Sequence, residues 1–269
     1  MKNAELLAAL SQKFRNKLKN GGLIPLSSDE YESMRLRWRN EIVGSMEGDD
    51  CPLCKNRGYL VELRNGCQVS VECICMEKRR YLQRMKKSGL GDLLERYTFA
   101  TYQTTEDWQR SAKRAALDYL QDPGGKWFAA TGCVGSGKTH LCTAICSELI
   151  NVGLEVRYML WKDDGGRMKA AVNDTEEYRC LVEPMKSVRA LYIDDFWKAG
   201  NGGVTKGDID LAFEILNARY NDSHLITIIS SELTVGRIMS IDEAVGSRIY
   251  ERSKGSCLEL TGSKNWRLR

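Results

Sequence analysis

Three groups of residues in this sequence have types and spacing suited to chemistry. The first is GCVGSGKT, from Gly132 to Thr139, which fits the phosphate-binding pattern G-x-x-x-x-G-K-[ST]. Its glycines let backbone N–H groups approach phosphate oxygens, and a helix that follows adds unpaired N–H groups and its positive dipole end. We predict a nucleotide site in which Lys138 reaches the β- and γ-phosphates and the hydroxyl of Thr139 binds Mg²⁺.

The predicted phosphate-binding segment continues into the first turn of that helix. Its residues are Gly132, Cys133, Val134, Gly135, Ser136, Gly137, Lys138, Thr139 and His140. The two histidines of the chain, His140 and His224, belong to no catalytic constellation. The alternative is a glycine turn followed by Lys-Thr by chance. The apolar run 127–130 before the loop and the helical pattern after it favour the nucleotide site.

The second group is an acidic pair that ends an apolar run. Residues 189–193 read as a buried strand, and Asp194 and Asp195 follow it directly. Downstream of a phosphate loop, such a pair is typical of the metal and water side of an NTPase site. We expect Asp194 to hold Mg²⁺ through water and Asp195 to orient or deprotonate the attacking water. A further strand ends in Ser230, Ser231 and Glu232, and a polar residue there can stand between the acidic pair and the γ-phosphate.

The third group consists of two cysteine pairs. Cys51 and Cys54 precede a predicted β-hairpin, and Cys73 and Cys75 follow it. The hairpin would bring four sulfurs into a tetrahedral site suited to Zn²⁺. A closed four-cysteine shell leaves no position for a substrate, so we expect a structural metal. The alternative is a set of buried or redox-active cysteines, and Cys67 at the turn is not counted as a ligand.

Strands and helices must alternate around these groups to position them. The hairpin is predicted at Tyr59–Leu63 and Val69–Glu72, with Asn65-Gly66 as its turn. Further strands are predicted at 127–130, 155–160, 189–193, 225–229 and 257–260, with helices at 107–121, from 139 onward and at 208–220. This order predicts an α/β fold with a parallel sheet flanked by helices and the ligand at its carboxyl edge.

The first fifty residues read as helical segments. Apolar residues recur at helical spacing from Leu6 to Leu18, and a second segment covers Asp29 to Val43. These faces either pack on their own domain or bind a partner. The basic run 78–87 is either a solvated helix face or a phosphate contact. We predict three parts: a helical segment over 1–50, a zinc-binding domain with a basic linker helix over 51–90, and an ATPase domain over 96–269.

Composition bounds the location of the protein. The net charge of +4 is mildly basic and does not by itself show that the protein binds nucleic acid. No apolar run approaches the length of a membrane span. The amino terminus lacks the apolar core of a signal peptide. Ten cysteines without such a signal favour a reducing compartment, so we expect a cytoplasmic protein with no membrane association.

Four segments together resemble a known family. GCVGSGKTHL, RALYIDDFWK, IISSEL and AVGSRIYERSKG, within residues 98–269, resemble the AAA+ ATPases of the DnaC/DnaI helicase-loader group, which also includes the IstB transposition helpers. The cysteine pairs resemble the zinc-binding domain of DnaI-type loaders, which IstB proteins usually lack. The resemblance implies an AAA+ part that binds ATP, oligomerises and touches single-stranded DNA. It also implies an amino-terminal part that binds a replicative hexameric helicase.

The resemblance also assigns arginines near the end of the chain. Arg252 in SRIYERS matches the arginine finger, which reaches a neighbouring subunit's γ-phosphate, and Arg248, one helical turn earlier, could assist it. The alternative is that both are solvated surface arginines. Arg267 in KNWRLR matches the second sensor arginine. We expect no helical lid after the sheet.

Two positions depart from the family pattern. Asp195 stands where many AAA+ proteins have a catalytic glutamate, and its shorter reach predicts slow, switch-like hydrolysis. Glu232 stands where loaders often carry asparagine, so the polar sensor is either Ser231 or Glu232.

The resemblance favours an ATP-dependent helicase loader in DNA replication that uses ATP, Mg²⁺ and Zn²⁺. The alternatives are an IstB-like transposition helper that remodels target DNA, and a binding module that never turns ATP over. The cysteine pairs favour the loader over the first alternative. Asp194, Asp195 and Arg252 argue against the second.

Overall fold

The computed structural model describes residues 28–47, 50–64, 67–198, 203–260 and 266, and only the backbone of residues 28–30. The helical pattern predicted from Leu6 to Leu18, the predicted turn at Asn65-Gly66, and Arg267 lie outside the described residues. The chain divides into two compact units, Met1–Arg79 and Arg80–Arg269. The three-part division of the sequence stays a prediction.

The first unit contains a helix and a β-hairpin. Helix α1 covers Ser28–Glu41, and strands β1 (Tyr59–Arg64) and β2 (Cys67–Glu72) pair antiparallel, as the sequence predicts. The side chain of Asn40 on α1 both accepts a hydrogen bond from Val61 N–H and donates one to Val61 O, each at 2.9 Å. This pair of bonds fixes α1 against β1.

Helix α2 covers Cys75–Ser88. The strands of the second unit are β3 (Trp127–Gly132), β4 (Val156–Leu160), β5 (Ala190–Asp194), β6 (Ile226–Ser231) and β7 (Cys257–Leu260). Its helices are α3 (Leu93–Arg96), α4 (Asp107–Gln121), α5 (Lys138–Asn151), α6 (Trp161–Ala170), α7 (Thr175–Ser187), α8 (Lys206–Asn221), α9 (Val235–Ile241) and α10 (Glu243–Arg252). Within the described ranges, no helix is long and apolar enough to cross a membrane.

The five strands of the second unit form one parallel sheet in the order β4-β5-β6-β3-β7. The predicted fold class is therefore confirmed. Strand β3, which leads into the phosphate loop, lies between β6 and β7, and Thr131 is level with Ser231 and Glu259. The carboxyl ends of β3, β5 and β6 therefore meet at one edge of the sheet, where the predicted site residues lie.

Alternating residues of the strands fill two cores, one on each face of the sheet. On β3, Trp127 and Ala129 belong to one core, with apolar residues of α6 to α10. Phe128 and Ala130 belong to the other, with apolar residues of α4 and α5. Because both faces are covered, the strands read as continuous apolar runs rather than as alternating ones.

Side chains before several helices set where those helices begin. Asp174 accepts backbone N–H bonds at the start of α7, and Asp242 does so at the start of α10. Thr205 and Asp208 form a reciprocal capping box at the start of α8. These caps satisfy N–H groups that have no partner within the helix.

Candidate nucleotide site and metal centre

The loop between β3 and α5 has a conformation that requires glycine. Gly132 has φ of +110° and Gly137 has φ of +82°, both in the region that other residues rarely adopt. A Cβ on Gly132 would lie 2.8 Å from the carbonyl oxygen of Leu260. The N–H of Cys133 donates to the same oxygen at 3.0 Å. Strand β7 thus holds the first half of the loop in shape, and Gly137 precedes the first residue of α5, Lys138.

The ammonium group of Lys138 lies within this loop. It donates to the carbonyl oxygens of Gly132 at 3.0 Å and Cys133 at 2.7 Å. Burial lowers the pKa of Lys138, and the charges of Glu232 and Asp195 oppose that effect. The loop therefore holds a mostly buried cation at the point where the sequence predicts the β- and γ-phosphates.

Asp194 lies at the centre of a hydrogen-bond network at the end of β5. Its Oδ1 accepts from the hydroxyl of Thr139 at 3.1 Å, the N–H of Asp195 at 3.0 Å and the hydroxyl of Ser230. Its Oδ2 accepts from the hydroxyl of Tyr158 at 3.1 Å. Thr139 and Asp194 are thus adjacent oxygen donors, the kind that Mg²⁺ prefers, so the residues present fit the predicted ion.

Asp195 sits in a tight turn directly after β5. Its φ is +51°, in the left-handed region, which is uncommon for a residue other than glycine. Its carboxylate accepts from Lys198 Nζ at 3.1 Å, and the same ammonium lies 2.8 Å from Glu232 Oε1. One lysine therefore joins two carboxylates from the ends of β5 and β6.

These side chains surround a cleft of about 220 Å³. It is lined by Tyr97, Val134, Gly135, Ser136, Gly137, Lys138, Thr139, His140, Asp195, Glu232 and Trp266. A second cavity of about 460 Å³ adjoins it and shares Tyr97, Ser136, Gly137, His140 and Trp266. The structure thus brings the predicted residues 134–140 and Asp195 to one cleft, whereas Gly132 and Cys133 do not line it. Asp194 lies behind it, bonded to Thr139.

His140 lies between the two cavities, although it belongs to no catalytic constellation. Its Nε2 lies 2.9 Å from the carbonyl oxygen of Thr98, and its ring stacks on Tyr97 with centroids 4.8 Å apart. Burial lowers the pKa of His140, and the charge of Lys113 acts in the same direction. A neutral His140 therefore donates to Thr98 and supports the aromatic wall of the cleft.

The two sensor candidates at the end of β6 differ in their surroundings. The hydroxyl of Ser231 is buried and donates to the carbonyl oxygen of Phe196 at 2.7 Å, so it faces the backbone. Ser230 instead contacts Asp194, and Glu232 lines the cleft. The structure therefore brings Ser230 and Glu232, but not Ser231, to the nucleotide side of the strand tip.

The two arginines of α10 lie outside this cleft. Arg252 donates to the carbonyl oxygen of Asp222 at 3.1 Å. Arg248 donates to the carbonyl oxygen of Ala244 at 2.7 Å, and its guanidinium lies over the ring of Phe213 at 4.9 Å. Neither arginine lines this cleft. Their action on a neighbouring subunit stays a prediction.

The four predicted zinc ligands form a cluster in the first unit. The sulfurs of Cys51, Cys54, Cys73 and Cys75 all lie within 4.8 Å of one another, whereas Cys67 is exposed. Cys51 Sγ is 3.7 Å from Cys73 Sγ, and Cys54 Sγ is 3.5 Å from Cys75 Sγ. A tetrahedral zinc with Zn–S distances of about 2.3 Å requires S···S distances of about 3.8 Å. The cluster is therefore consistent with a zinc site.

Tyr158 and Lys198 belong to the surroundings of the site but are not among the residues predicted from the sequence. Tyr158 is level with Tyr192 in the sheet, two residues before the end of β4. Lys198 follows the acidic pair in DDFWK. Their only sequence signal is proximity to a strand end that faces the loop.

Residues 65–261 match the family described as IstB-like ATP binding protein. This match covers most of the chain. The chain belongs to the IstB-like ATP-binding family. The predicted resemblance to the helicase-loader group is confirmed as well, because proteins named as replicative helicase loaders align with this chain.

Three relatives illustrate the family. The chain is 32% identical to the uncharacterized protein YqaM of Bacillus subtilis over 72% of its own length and 64% of that of YqaM. It is 31% identical to the phage-like element PBSX protein XkdC of Bacillus subtilis, over 80% of this chain and 83% of XkdC. It is 27% identical to the replicative helicase loader DnaC of Escherichia coli K12, over 48% of this chain and 55% of DnaC. The chain thus aligns with somewhat under two thirds of the length of YqaM.

Solved structures share the fold of part of this chain. A crystal structure of the DnaC helicase loader superposes with a TM-score of 0.51 and 19% identity, over 62% of this chain and 97% of that one. AMPPCP-bound DnaA from Aquifex aeolicus superposes with a TM-score of 0.51 and 23% identity, over 64% of this chain and 52% of DnaA. The fold of this IstB-like protein is therefore that of AAA+ proteins.

Proposed function

We propose that this chain is an ATP-dependent loader of a replicative hexameric helicase, acting in DNA replication in the cytoplasm. It binds ATP with Mg²⁺, assembles into a homo-oligomer when ATP is bound, and contacts single-stranded DNA. Hydrolysis is slow because Asp195 has a shorter reach than glutamate. Zn²⁺ in the four-cysteine cluster holds the first unit in its folded form.

This proposal rests on one observation: the same chain contains both a nucleotide cleft and a cluster of four cysteine sulfurs. In the cleft, Lys138 holds the phosphates, Thr139 and Asp194 hold Mg²⁺, and Asp195 and Glu232 stand beside the γ-phosphate. The adjoining cavity of about 460 Å³ takes the nucleobase and ribose, with Tyr97 on its wall. Arg252, which does not line its own cleft, reaches the nucleotide of the next subunit.

The similarity to proteins named as replicative helicase loaders supports this choice of partner. In this proposal the first unit, with α1 and the zinc cluster, binds the helicase. The second unit switches that interaction according to the nucleotide it holds. Polar residues at the carboxyl edge of the sheet bind the nucleotide, and the oligomer binds the single-stranded DNA.

A second candidate is a transposition helper that remodels target DNA. The family match favours it, since the family is described by its likeness to IstB. The four-cysteine cluster argues for the loader, because the DnaI-type resemblance includes such a domain and IstB proteins usually lack one.

The test is affinity capture from the native cell, with tagged protein held in Mg²⁺ and AMPPCP. We expect a hexameric helicase to co-purify with the wild type. Lys138→Ala separates nucleotide-dependent partners from others, and Cys54→Ser with Cys73→Ser tests the first unit. The captured helicase is then mixed with circular single-stranded DNA to measure loading. A transposase that co-purifies in place of a helicase would overturn the loader proposal in favour of the second candidate.

A further inference from the structure

The charges of the cleft are poorly matched to a triphosphate. Among the described residues that line it, the ammonium of Lys138 faces the two carboxylates of Asp195 and Glu232. Asp194 lies behind them, bonded to Thr139. Like charges within a few ångströms repel strongly in a partly desolvated site. Mg²⁺ at Thr139 and Asp194 would offset part of this repulsion, and a further positive charge beside Asp195 and Glu232 would offset more of it.

Lys198 supplies that charge from behind the carboxylates. Its ammonium lies 3.1 Å from Asp195 Oδ2 and 2.8 Å from Glu232 Oε1, although it does not line the cleft itself. The hydrogen bond with Glu232 is the largest cause of a raised pKa at Lys198, so the lysine stays charged. The two carboxylates come from the ends of different strands, and this one ammonium joins them.

The turn that carries Lys198 is firmly anchored. The ring of Phe196 stacks on that of Trp197 with centroids 4.8 Å apart, and both side chains are buried. The N–H of Phe196 donates to Ser230 O at 2.8 Å, and the N–H of Lys198 donates to Asp195 O at 2.9 Å. The lysine therefore returns to the acidic pair on a turn fixed by the core, rather than on a free surface loop.

We propose that Lys198 is a specificity-determining residue for the γ-phosphate: it masks the charges of Asp195 and Glu232 so that a triphosphate can enter the cleft. The inference rests on the proposed nucleotide function. It concerns only the third phosphate, since the backbone N–H groups of the loop bind the phosphates that ADP and ATP share. Lys198 thus sets the preference for ATP over ADP without itself holding the loop phosphates.

The test is a competition titration of AMPPCP and ADP, both with Mg²⁺, against a fluorescent nucleotide. Lys198→Met should lower the ratio of AMPPCP affinity to ADP affinity by about tenfold, and Lys198→Arg should keep most of it. Adding Glu232→Gln to Lys198→Met should restore the ratio, because one of the unmasked charges is removed. The ratio is taken within each variant, so a partial loss of folded protein cancels.

Lys186 provides a matched control. It bridges Glu183 at 2.7 Å and Glu214 at 3.4 Å, and it does not line the cleft. Lys186→Met should leave the ratio unchanged. An unchanged ratio in Lys198→Met that still binds ADP overturns the inference. So does a lowered ratio that Glu232→Gln fails to restore, since Lys198 would then act by another route. A wild type that binds neither nucleotide instead refutes the proposed function.

Discussion

The hydroxyl of Tyr158 donates a hydrogen bond of 3.1 Å to Oδ2 of Asp194. Burial, together with the charge of Asp194, raises the pKa of Tyr158, so the hydroxyl remains protonated and acts as a donor. The other oxygen of Asp194 accepts from Thr139. Tyr158 therefore holds the carboxylate in the orientation that faces the predicted Mg²⁺ position.

Tyr158→Phe should weaken hydrolysis more than nucleotide binding. A hydrogen bond to a charged group contributes about 1.5–3 kcal/mol, so loss of this orientation should lower the rate on the order of tenfold or more. The measurement is steady-state ATP hydrolysis alongside labelled-ATP titration. Tyr178→Phe is the control, because Tyr178 donates to Glu214 at 2.6 Å and does not line the cleft. Equal rates in Tyr158→Phe and the wild type would show that Asp194 needs no such support.

The first unit should contain one zinc ion, lost when its cysteines are replaced. We expect the wild type to retain metal after purification, and Cys54→Ser with Cys73→Ser to retain none. Because such a domain takes much of its folding free energy from the metal, the variant should become protease-sensitive between Cys51 and Cys75. Metal analysis and limited proteolysis measure both effects. Cys67→Ser should keep its zinc, since Cys67 is exposed and outside the cluster.

Arg252→Ala should bind ATP nearly as the wild type does while losing most hydrolysis. Arginine fingers contribute on the order of 10³–10⁵ in rate. The variant is mixed with Lys138→Ala, which lacks the ammonium that faces the phosphates and is itself inactive. Mixed oligomers should recover activity, because an intact Lys138 cleft then meets an intact Arg252 from the next subunit.

The control for this mixing experiment is Lys254→Ala, which removes an exposed cation two residues after Arg252. It should hydrolyse ATP as the wild type does. Full activity of Arg252→Ala alone would make that arginine a surface charge. Activity that stays absent in every mixture would argue against a site shared between subunits.

Stability should fall as the pH drops through the range in which His140 titrates. Burial places the pKa of His140 below its usual value of 6.5. Below that value the unfolded chain therefore takes up a proton that the folded protein resists, and stability is lost until the pH passes the folded pKa. Thermal unfolding midpoints between pH 7.5 and 5 should show a smaller drop for His140→Gln than for the wild type. His224→Gln, which alters an exposed histidine, should keep the wild-type drop.

The parallel sheet could be predicted because its strands are short apolar runs that end in polar residues. Each of the five predicted strands overlaps an observed one, and helix α4 has the predicted bounds. The loop could also be predicted, since phosphate binding demands glycine and lysine at fixed spacing. The acidic pair could be predicted because it directly follows an apolar strand downstream of that loop. The cysteine cluster follows from its pairs around a hairpin.

Helix α6 was not predicted, because Gly165 and Gly166 lower its intrinsic propensity. Packing outweighs that cost, because Trp161, Gly165 and Met168 of this helix are buried. The ion pair between Lys198 and Glu232 could not be predicted either, since it depends on how the ends of two strands lie side by side. Sequence spacing locates strand ends but does not give the distances between them.

The pairing of β3 has a consequence for synthesis on the ribosome. The strand that carries the phosphate loop is flanked by β6, which starts at Ile226, and β7, which starts at Cys257. A nascent chain that has not yet reached Leu260 lacks the carbonyl group that accepts from Cys133. We therefore expect the phosphate loop to reach its full stability, and to gain further stability from a bound nucleotide, only once translation has passed β7.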